Sequence, residues 1–290
     1  MKSPTDLVLR NPIHVIRPIN LTLITATMFV VLFKYKDELA TSYWFHAIFL
    51  ILPAVLSAAA GYVVNDIFDI ETDKVNKPSS CIVGHSLSVK SAWILYAILT
   101  VLSLVVSYFF SQQYAIINVS IMGLLYLYAA KLKGMPLIGN MVVALCSAAV
   151  VAICVLLIAF DTKPAIMNFT GYIIFSFFIS LIRELVKDMQ DVDGDLAAGL
   201  KTYPIVAGIK GTKIMIYIIT GIEIMLCGLY SFLSWGLDLY AGSVLMGIIT
   251  LGLLYFINHI SKTKSKEEYG ASSKLLKYIM FAGVINLIFA

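Results

Sequence analysis

The sequence predicts an all-α membrane protein with nine transmembrane helices, and three observations carry that prediction. Hydrophobic residues make up 60% of the 290-residue chain and charged residues only 13%, against roughly 25% charged in soluble domains. Apolar stretches long enough to cross about 30 Å of hydrocarbon recur along its whole length. The lysines and arginines collect on alternate connections, as the positive-inside rule requires of cytoplasmic segments.

Residues 1–17 are polar and basic (Lys2, Arg10, Arg17), and an apolar run follows to Phe33. Lys34-Tyr35-Lys36-Asp37-Glu38 comes next where a signal peptide would show a small-residue cleavage site, so the run reads as an uncleaved first span. Further spans are expected near 44–64, 91–110, 112–130, 136–160, 165–186, 212–235, 239–260 and 272–290. The boundary at Ser111-Gln112-Gln113 is the shortest. With the N-terminus cytoplasmic, the outer segments keep only Lys34, Lys36 and Lys163 of the chain's 21 lysines and arginines. The connections near 66–90 and 187–211 then both face the cytoplasm. They are the long ones, expected to be loops capping the cytoplasmic end of a cavity. No separate soluble domain is visible, and residues 1–290 read as one integral-membrane domain of the cell (inner) membrane, its partners lipophilic and membrane lipid, with no nucleic acid among them.

Those two connections hold the chain's chemistry. Asn65-Asp66-Ile67-Phe68-Asp69-Ile70-Glu71-Thr72-Asp73 and Lys187-Asp188-Met189-Gln190-Asp191-Val192-Asp193-Gly194-Asp195 each carry aspartates at i, i+3 and i+7. On a helix these offsets put three carboxylates within about 60° of one another. Like charges on one face repel and are costly beside hydrocarbon unless a cation neutralises them. Carboxylate oxygens suit Mg²⁺, which is held by a few carboxylates together with substrate phosphate. The two sets (Asp66, Asp69, Asp73 and Asp188, Asp191, Asp195) therefore read as a cradle for a magnesium-bound diphosphate, with Mn²⁺ as a substitute ion. Solvated surface charges are the bland alternative, but the matched spacing disfavours it. Of only 17 acidic residues in the chain, Asp66, Asp69, Glu71, Asp73, Glu184, Asp188, Asp191, Asp193 and Asp195 all lie in or beside these stretches.

Arg17, Asn20, Lys131, Lys133, Arg183 and Lys187 lie at or near the cytoplasmic ends of apolar runs, where they are candidates to bind anionic substrate. Lys262, Lys264 and Lys266 read as ordinary snorkelling lysines. Arg183 sits inside an apolar segment, where an ionisable group faces the bundle interior and has a partner. Its expected task is to grip diphosphate or to orient the aspartates. Phe68, Tyr126 and Tyr128 are the aromatic candidates for lining a cavity, where a ring face stabilises a cation. The four cysteines form no CxxC pair and the four histidines no HExxH set, so zinc and haem have no support.

These residues resemble the UbiA superfamily of intramembrane prenyltransferases. Asn65-Asp66-x-x-Asp69-x-x-x-Asp73 followed by Asn76-Lys77-Pro78 is similar to the family's first signature. Arg183-Glu184-x-x-Lys187-Asp188-x-x-Asp191-x-x-Gly194-Asp195 with Lys201-Thr202-x-Pro204 is similar to its second. Tyr126-x-Tyr128-x-x-Lys131-x-Lys133 and Pro136-Leu137-Ile138-Gly139-Asn140 resemble the segment around helices 4 and 5. The resemblance spans nearly the whole chain and implies nine helices about a cavity whose active site is capped on the cytoplasmic side. It implies that Asn65 and the six aspartates hold Mg²⁺ and a prenyl diphosphate, with Asp66, Asp69, Asp188, Asp191 and Arg183 catalytic and Lys77 among the substrate-binding residues. The form of the second motif looks most like digeranylgeranylglyceryl phosphate synthases, which alkylate a glycerol-phosphate ether lipid. Where relatives carry further basic residues, this chain has Ser80 and His85, which leaves prenylation of an aromatic acceptor (4-hydroxybenzoate or a menaquinone precursor) as the alternative. A divalent-cation or proton-coupled transporter is the reading from another class. Transporter sites lie near the bilayer midplane, and here the only mid-span acid is Glu223.

Overall fold

The computed structural model describes residues 11–34, 36, 42–76, 81–158 and 163–289. Lys77, Pro78 and Ser80, singled out in the sequence, lie outside them. The described residues are helical, with no strand beyond an isolated bridge between Val83 and Leu87. In chain order the α-helices are α1 (Pro18–Lys34), α2 (Tyr43–Phe68), α3 (Ile70–Asn76), α4 (Val89–Phe110), α5 (Gln112–Ala130), α6 (Ile138–Ile158), α7 (Lys163–Ala197), α8 (Tyr203–Trp235), α9 (Tyr240–Lys262) and α10 (Lys266–Phe289). Eight of them, α2 and α4 to α10, are long and apolar enough to cross a membrane. The first expected span, α1, has 17 residues, which at 1.5 Å each is about 25 Å and short of the hydrocarbon thickness.

Local chemistry sets the helix ends. Pro18 opens α1 directly after Arg17, whose φ of 52° turns the chain out of the preceding 3₁₀ turn Pro12–Ile16. Ser88 caps α4 by accepting from Ser91 N–H at 3.0 Å. Ser111 alone separates α4 from α5, its extended backbone ending one helix while its hydroxyl accepts from Tyr114 N–H at 3.0 Å to start the next. At α10 a capping box forms. Glu268 accepts from the backbone N–H of Lys264 and Ser265, and Ser265 accepts from Glu268 N–H.

Two compact units divide the chain. The first holds the chain up to Thr25, Ile48–Gly134 and Asp193–Leu200. Its apolar cluster brings Val15, Val63, Ile67, Ile82, Val83 and Ala92 together. Within the membrane-spanning parts a polar knot ties α2, α4 and α5. Asn118 donates to Ser103 Oγ at 2.8 Å, Ser57 donates to Asn118 Oδ1 at 2.5 Å, and Ser103 donates to the carbonyl of Pro53 at 2.8 Å. Buried polar groups of adjacent spans satisfy one another in this way because hydrocarbon offers no other partner. The second unit holds Ala26–Ala47, Met135–Val192 and Lys201–Ala290. Its core is built from α7 (Ile179, Ile182, Leu185), α8 (Ile216), α9 (Leu253, Phe256) and α10 (Leu276), all fully buried.

The structure corrects the expected long loops. The segment from 187 onward is not a loop, since α7 continues through the whole second motif to Ala197. Gly199, at φ 70°, ends it, with Leu200 N–H bonded to Asp195 O at 2.9 Å, the left-handed close favoured by glycine. Residues 203–207 are helical again and Gly208 (φ 72°) kinks α8 before its long run. The stretch from 66 is likewise mostly helical. Asp69 N–H bonds Asn65 O and Asp73 N–H bonds Asp69 O, so the helical register passes from α2 into α3. Of the expected cap, 81–88 and 198–202 are irregular among the described residues, the former a tight turn in which Gly84 N–H and Leu87 O are bonded at 2.8 Å.

Candidate active site

Because helical register is kept through both acidic stretches, each aspartate triplet lies along one helical face. In the first unit Asp66 accepts from the Arg17 guanidinium at 2.8 Å. That guanidinium also lies 4.8 Å over the Tyr62 ring, a cation–π contact. Burial works against the Arg17 charge, but Asp66, Tyr62 and Asp69 outweigh it and raise its pKa above the ordinary arginine value. Asp69 is buried, and its carboxylate accepts from the Asn65 amide at 2.6 Å and from Lys133 Nζ. Lys133 comes from the 3₁₀ turn Leu132–Gly134 that follows α5. Burial alone would lower the Lys133 pKa, yet Asp69, and with it Asp195 and Asp73, raise it.

Asp195 belongs to the second acidic stretch, so the two stretches meet within the first unit. Asn76, closing α3, accepts from Gly194 N–H through Oδ1 at 3.0 Å. Glycine is required there. A Cβ on residue 194 would sit 2.3 Å from Asn76 Nδ2. Asp195 is 2% exposed and Asn76 7%, which marks this junction as dry. Lys133 thus stands in the field of carboxylates drawn from both stretches.

In the second unit, Asp188 accepts from the Asn140 amide at 2.7 Å. Buried Glu184 accepts from Arg183 at 3.1 Å and from Lys187 at 2.8 Å. Arg183 therefore pairs with Glu184 and is held in place by it. Its buried Nε has no hydrogen-bond partner among the described residues, so a donor remains for an incoming anion. Asp191 is half-buried and Asp193 exposed.

The remaining candidates fall as follows. Asn20, on the first turn of α1, and Tyr128, on α5, are half-buried, while Lys131 and His85 are exposed. Tyr126 and Phe68 are more than a third exposed and join Trp93 and Tyr96 in one edge-packed aromatic cluster, the Phe68–Tyr126 centroids 5.8 Å apart. Phe68 follows Asp66 by two residues and so points about 200° round the helix from it. Sequence reasoning overlooked Asn76, Asn140, Gly194 and Glu184 as positioning groups. Glu184 had a readable signal, an acid within an apolar run four residues before Asp188.

Among the described residues no three His, Cys, Asp or Glu side chains form a self-contained metal cage. Magnesium does not need one. It keeps one or two carboxylates and completes its octahedron with substrate phosphate and water, a demand that the oxygen donors Asp66 and Asp69 of the first unit fit, as do Asp188 and Asp191 of the second, on the same helix as the unpartnered Arg183 Nε.

The profile of the UbiA prenyltransferase family matches residues 22–280. The digeranylgeranylglyceryl phosphate synthase of Methanobrevibacter smithii is 30% identical over 283 residues, covering 94% of this chain and 97% of that protein. The enzyme of the same name from Sulfolobus acidocaldarius is 33% identical over 235 residues, covering 79% and 83%. A structure described as giving insight into digeranylgeranylglyceryl phosphate synthase in membranes superposes with a TM-score of 0.70 at 26% identity, covering 96% of each chain. A UbiA homologue from Archaeoglobus fulgidus bound to GPP and Mg²⁺ shares the fold, with a TM-score of 0.68 at 17% identity over 96% of this chain and 99% of its own. The paired acidic stretches, the apolar helices and these matches lead to one conclusion: the chain belongs to the UbiA prenyltransferase family.

Proposed function

We propose that this integral-membrane prenyltransferase transfers a polyprenyl group from a prenyl diphosphate to a glycerol-phosphate ether lipid of the geranylgeranylglyceryl phosphate type. The observation that carries the reading is the convergence of Asp69, Asp73 and Asp195 on Lys133, which brings carboxylates of both stretches and a cation to one place. Magnesium bound by Asp66, Asp69, Asp188 and Asp191, with Asp73 and Asp195 beside them, would supply charge to stabilise the departing diphosphate. The chain's own residues do the rest. Lys133, Arg183 and Lys187 donate to diphosphate oxygens, Arg17 holds Asp66, Asn65 orients Asp69, and Asn140 orients Asp188. Glu184 fixes Arg183 and Lys187 at the spacing an anion needs, a preorganisation that lowers the barrier because nothing must rearrange as charge develops.

A phosphate-bearing acceptor brings a second anion. Exposed Lys131, Asn20 by its place at the end of an apolar run, and Lys77 by the family resemblance are the groups assigned to it. The same reading puts α1 across the membrane as a ninth span, tilted neighbours and local thinning absorbing its shortness, with the N-terminus and active site on the cytoplasmic face of the cell membrane.

Purified protein offered geranylgeranyl diphosphate, Mg²⁺ and either geranylgeranylglyceryl phosphate or 4-hydroxybenzoate should yield a prenylated product by mass spectrometry only with the phosphate ester. Chelation by EDTA should abolish it, and Mn²⁺ should restore it. Product from the aromatic acceptor alone would reject the lipid acceptor, and full turnover in excess EDTA would reject the metal-dependent cradle.

A further inference from the structure

Glu223 has no part in the site above. It lies on α8, about 18 Å along the helix from its end at Trp235 at 1.5 Å per residue. It is fully buried, and among the described residues neither carboxyl oxygen has a hydrogen-bond partner. A carboxyl group held in hydrocarbon without a donor is costly, and an intramembrane ionisable residue marks a functional position. The neighbouring hydroxyl of Tyr230 is already committed, donating to Asn168 Oδ1 at 2.8 Å. No described residue donates to Glu223, which leaves its oxygens open to a donor carried by a ligand.

There is room for one. Glu223 borders a cavity of about 430 Å³ between α7, α8 and α9, walled by Met167, Phe175, Leu226 and Met246. That volume falls within the roughly 300–1,000 Å³ usual for small-molecule sites. Its exposed lining residues include the apolar Ile166, Leu229 and Leu233 and one hydroxyl, Thr170, so a ligand enters past them from the acyl-chain region. The cavity is separate from Asp188 and Asp191, since Phe175 precedes Asp188 on α7 by about 20 Å of helix.

We infer that this cavity is a second ligand site, which takes a neutral lipophile bearing a hydroxyl group. The hydroxyl donates to Glu223 and the hydrocarbon chain fills the apolar groove. A neutral head is favoured over an ammonium because, among the described residues, Glu223 is the one charged side chain lining the cavity and a fixed charge would have to cross hydrocarbon to reach it. The site stands apart from prenyl transfer and does not depend on the acceptor assigned above.

Whole protein in phosphatidylcholine nanodiscs would be irradiated with a long-chain alcohol carrying a chain diazirine, and adducts mapped by mass spectrometry. Adducts are expected on residues 166–175 and 223–233, displaced by the unlabelled alcohol but not by the alkane of equal length. Glu223→Leu should weaken apparent affinity by about tenfold, the effect of losing one strong hydrogen bond, while prenyl transfer stays unchanged. Glu223→Gln, which keeps the shape and one acceptor oxygen, should weaken it less. Equal competition by the alkane, or affinity unchanged in both variants, would reduce the site to an unselective lipid groove and overturn the proposal. Stronger competition by an alkyltrimethylammonium would also overturn it, in favour of a cation site. Absence of adducts at these segments would do the same, and the wild-type competition arms decide the matter if Glu223→Leu does not fold.

Discussion

Replacing Lys133 by methionine tests the junction at its centre. The change keeps the apolar stem but removes the cation that faces Asp69, Asp73 and Asp195. Breaking a fully buried ion pair costs roughly 3–5 kcal/mol, because the remaining charge is stranded. The Lys133 side chain retains 23% of its exposure and Asp69 only 9%. Solvent reaches the lysine, and Asp69 keeps its Asn65 bond, so the expected cost falls to about 1–3 kcal/mol. A double-mutant cycle with Asp69→Asn isolates the pair. Unfolding followed by tryptophan fluorescence should give a coupling energy of about 1–3 kcal/mol, the double variant losing less than the two singles together. Apparent KM for the prenyl diphosphate should rise about tenfold to a hundredfold in Lys133→Met, as expected on losing a hydrogen bond to a charged group. The pH dependence has a definite sign. The Lys133 pKa is raised above its ordinary 10.5, so the stabilisation is fully present below that value and is lost only as pH climbs beyond it. The stability gap between wild type and Lys133→Met should therefore be flat through neutral and mildly alkaline pH. Additive effects within about 0.5 kcal/mol, or a gap that shrinks near neutrality, would refute the pairing.

Gly194→Ala should displace Asn76 and slow prenyl transfer. Asn76→Ala in the same chain should relieve the clash and recover packing without the hydrogen bond, leaving the double variant more stable than Gly194→Ala alone in thermal unfolding. Glu184→Gln removes the charge that anchors Arg183 and Lys187, and KM for the prenyl diphosphate should rise about tenfold or more, with Asp188→Asn losing turnover instead. Cysteines placed at the exposed positions Glu71 and Asp193 should react with an impermeant thiol reagent from the cytoplasmic side only, and one at exposed Asp238 only from the opposite side. Labelling of 71 and 193 from opposite faces would break the single-site reading.

The class of fold and most of its elements could be read from local composition. An apolar run must be helical in hydrocarbon because every backbone group needs an internal partner, so Val89–Phe110 and Tyr240–Lys262 came within two residues of expectation. The i, i+3, i+7 aspartates were equally legible, being a matter of spacing along one helix. Local composition misjudged what tertiary contact overrides. A stretch as polar as Asp188–Asp195, with a glycine inside it, has little intrinsic helix propensity, yet it is helical where Asn76 receives Gly194 N–H. The two partners are 118 residues apart in the chain, and Lys133 and Asp69 are 64 apart. No periodicity encodes such pairings. The free donor on Arg183, the charge on Lys133 and the cavity beside Glu223 arise only when distant helices close around them, because burial and electrostatic field belong to positions in space and not to positions in the chain.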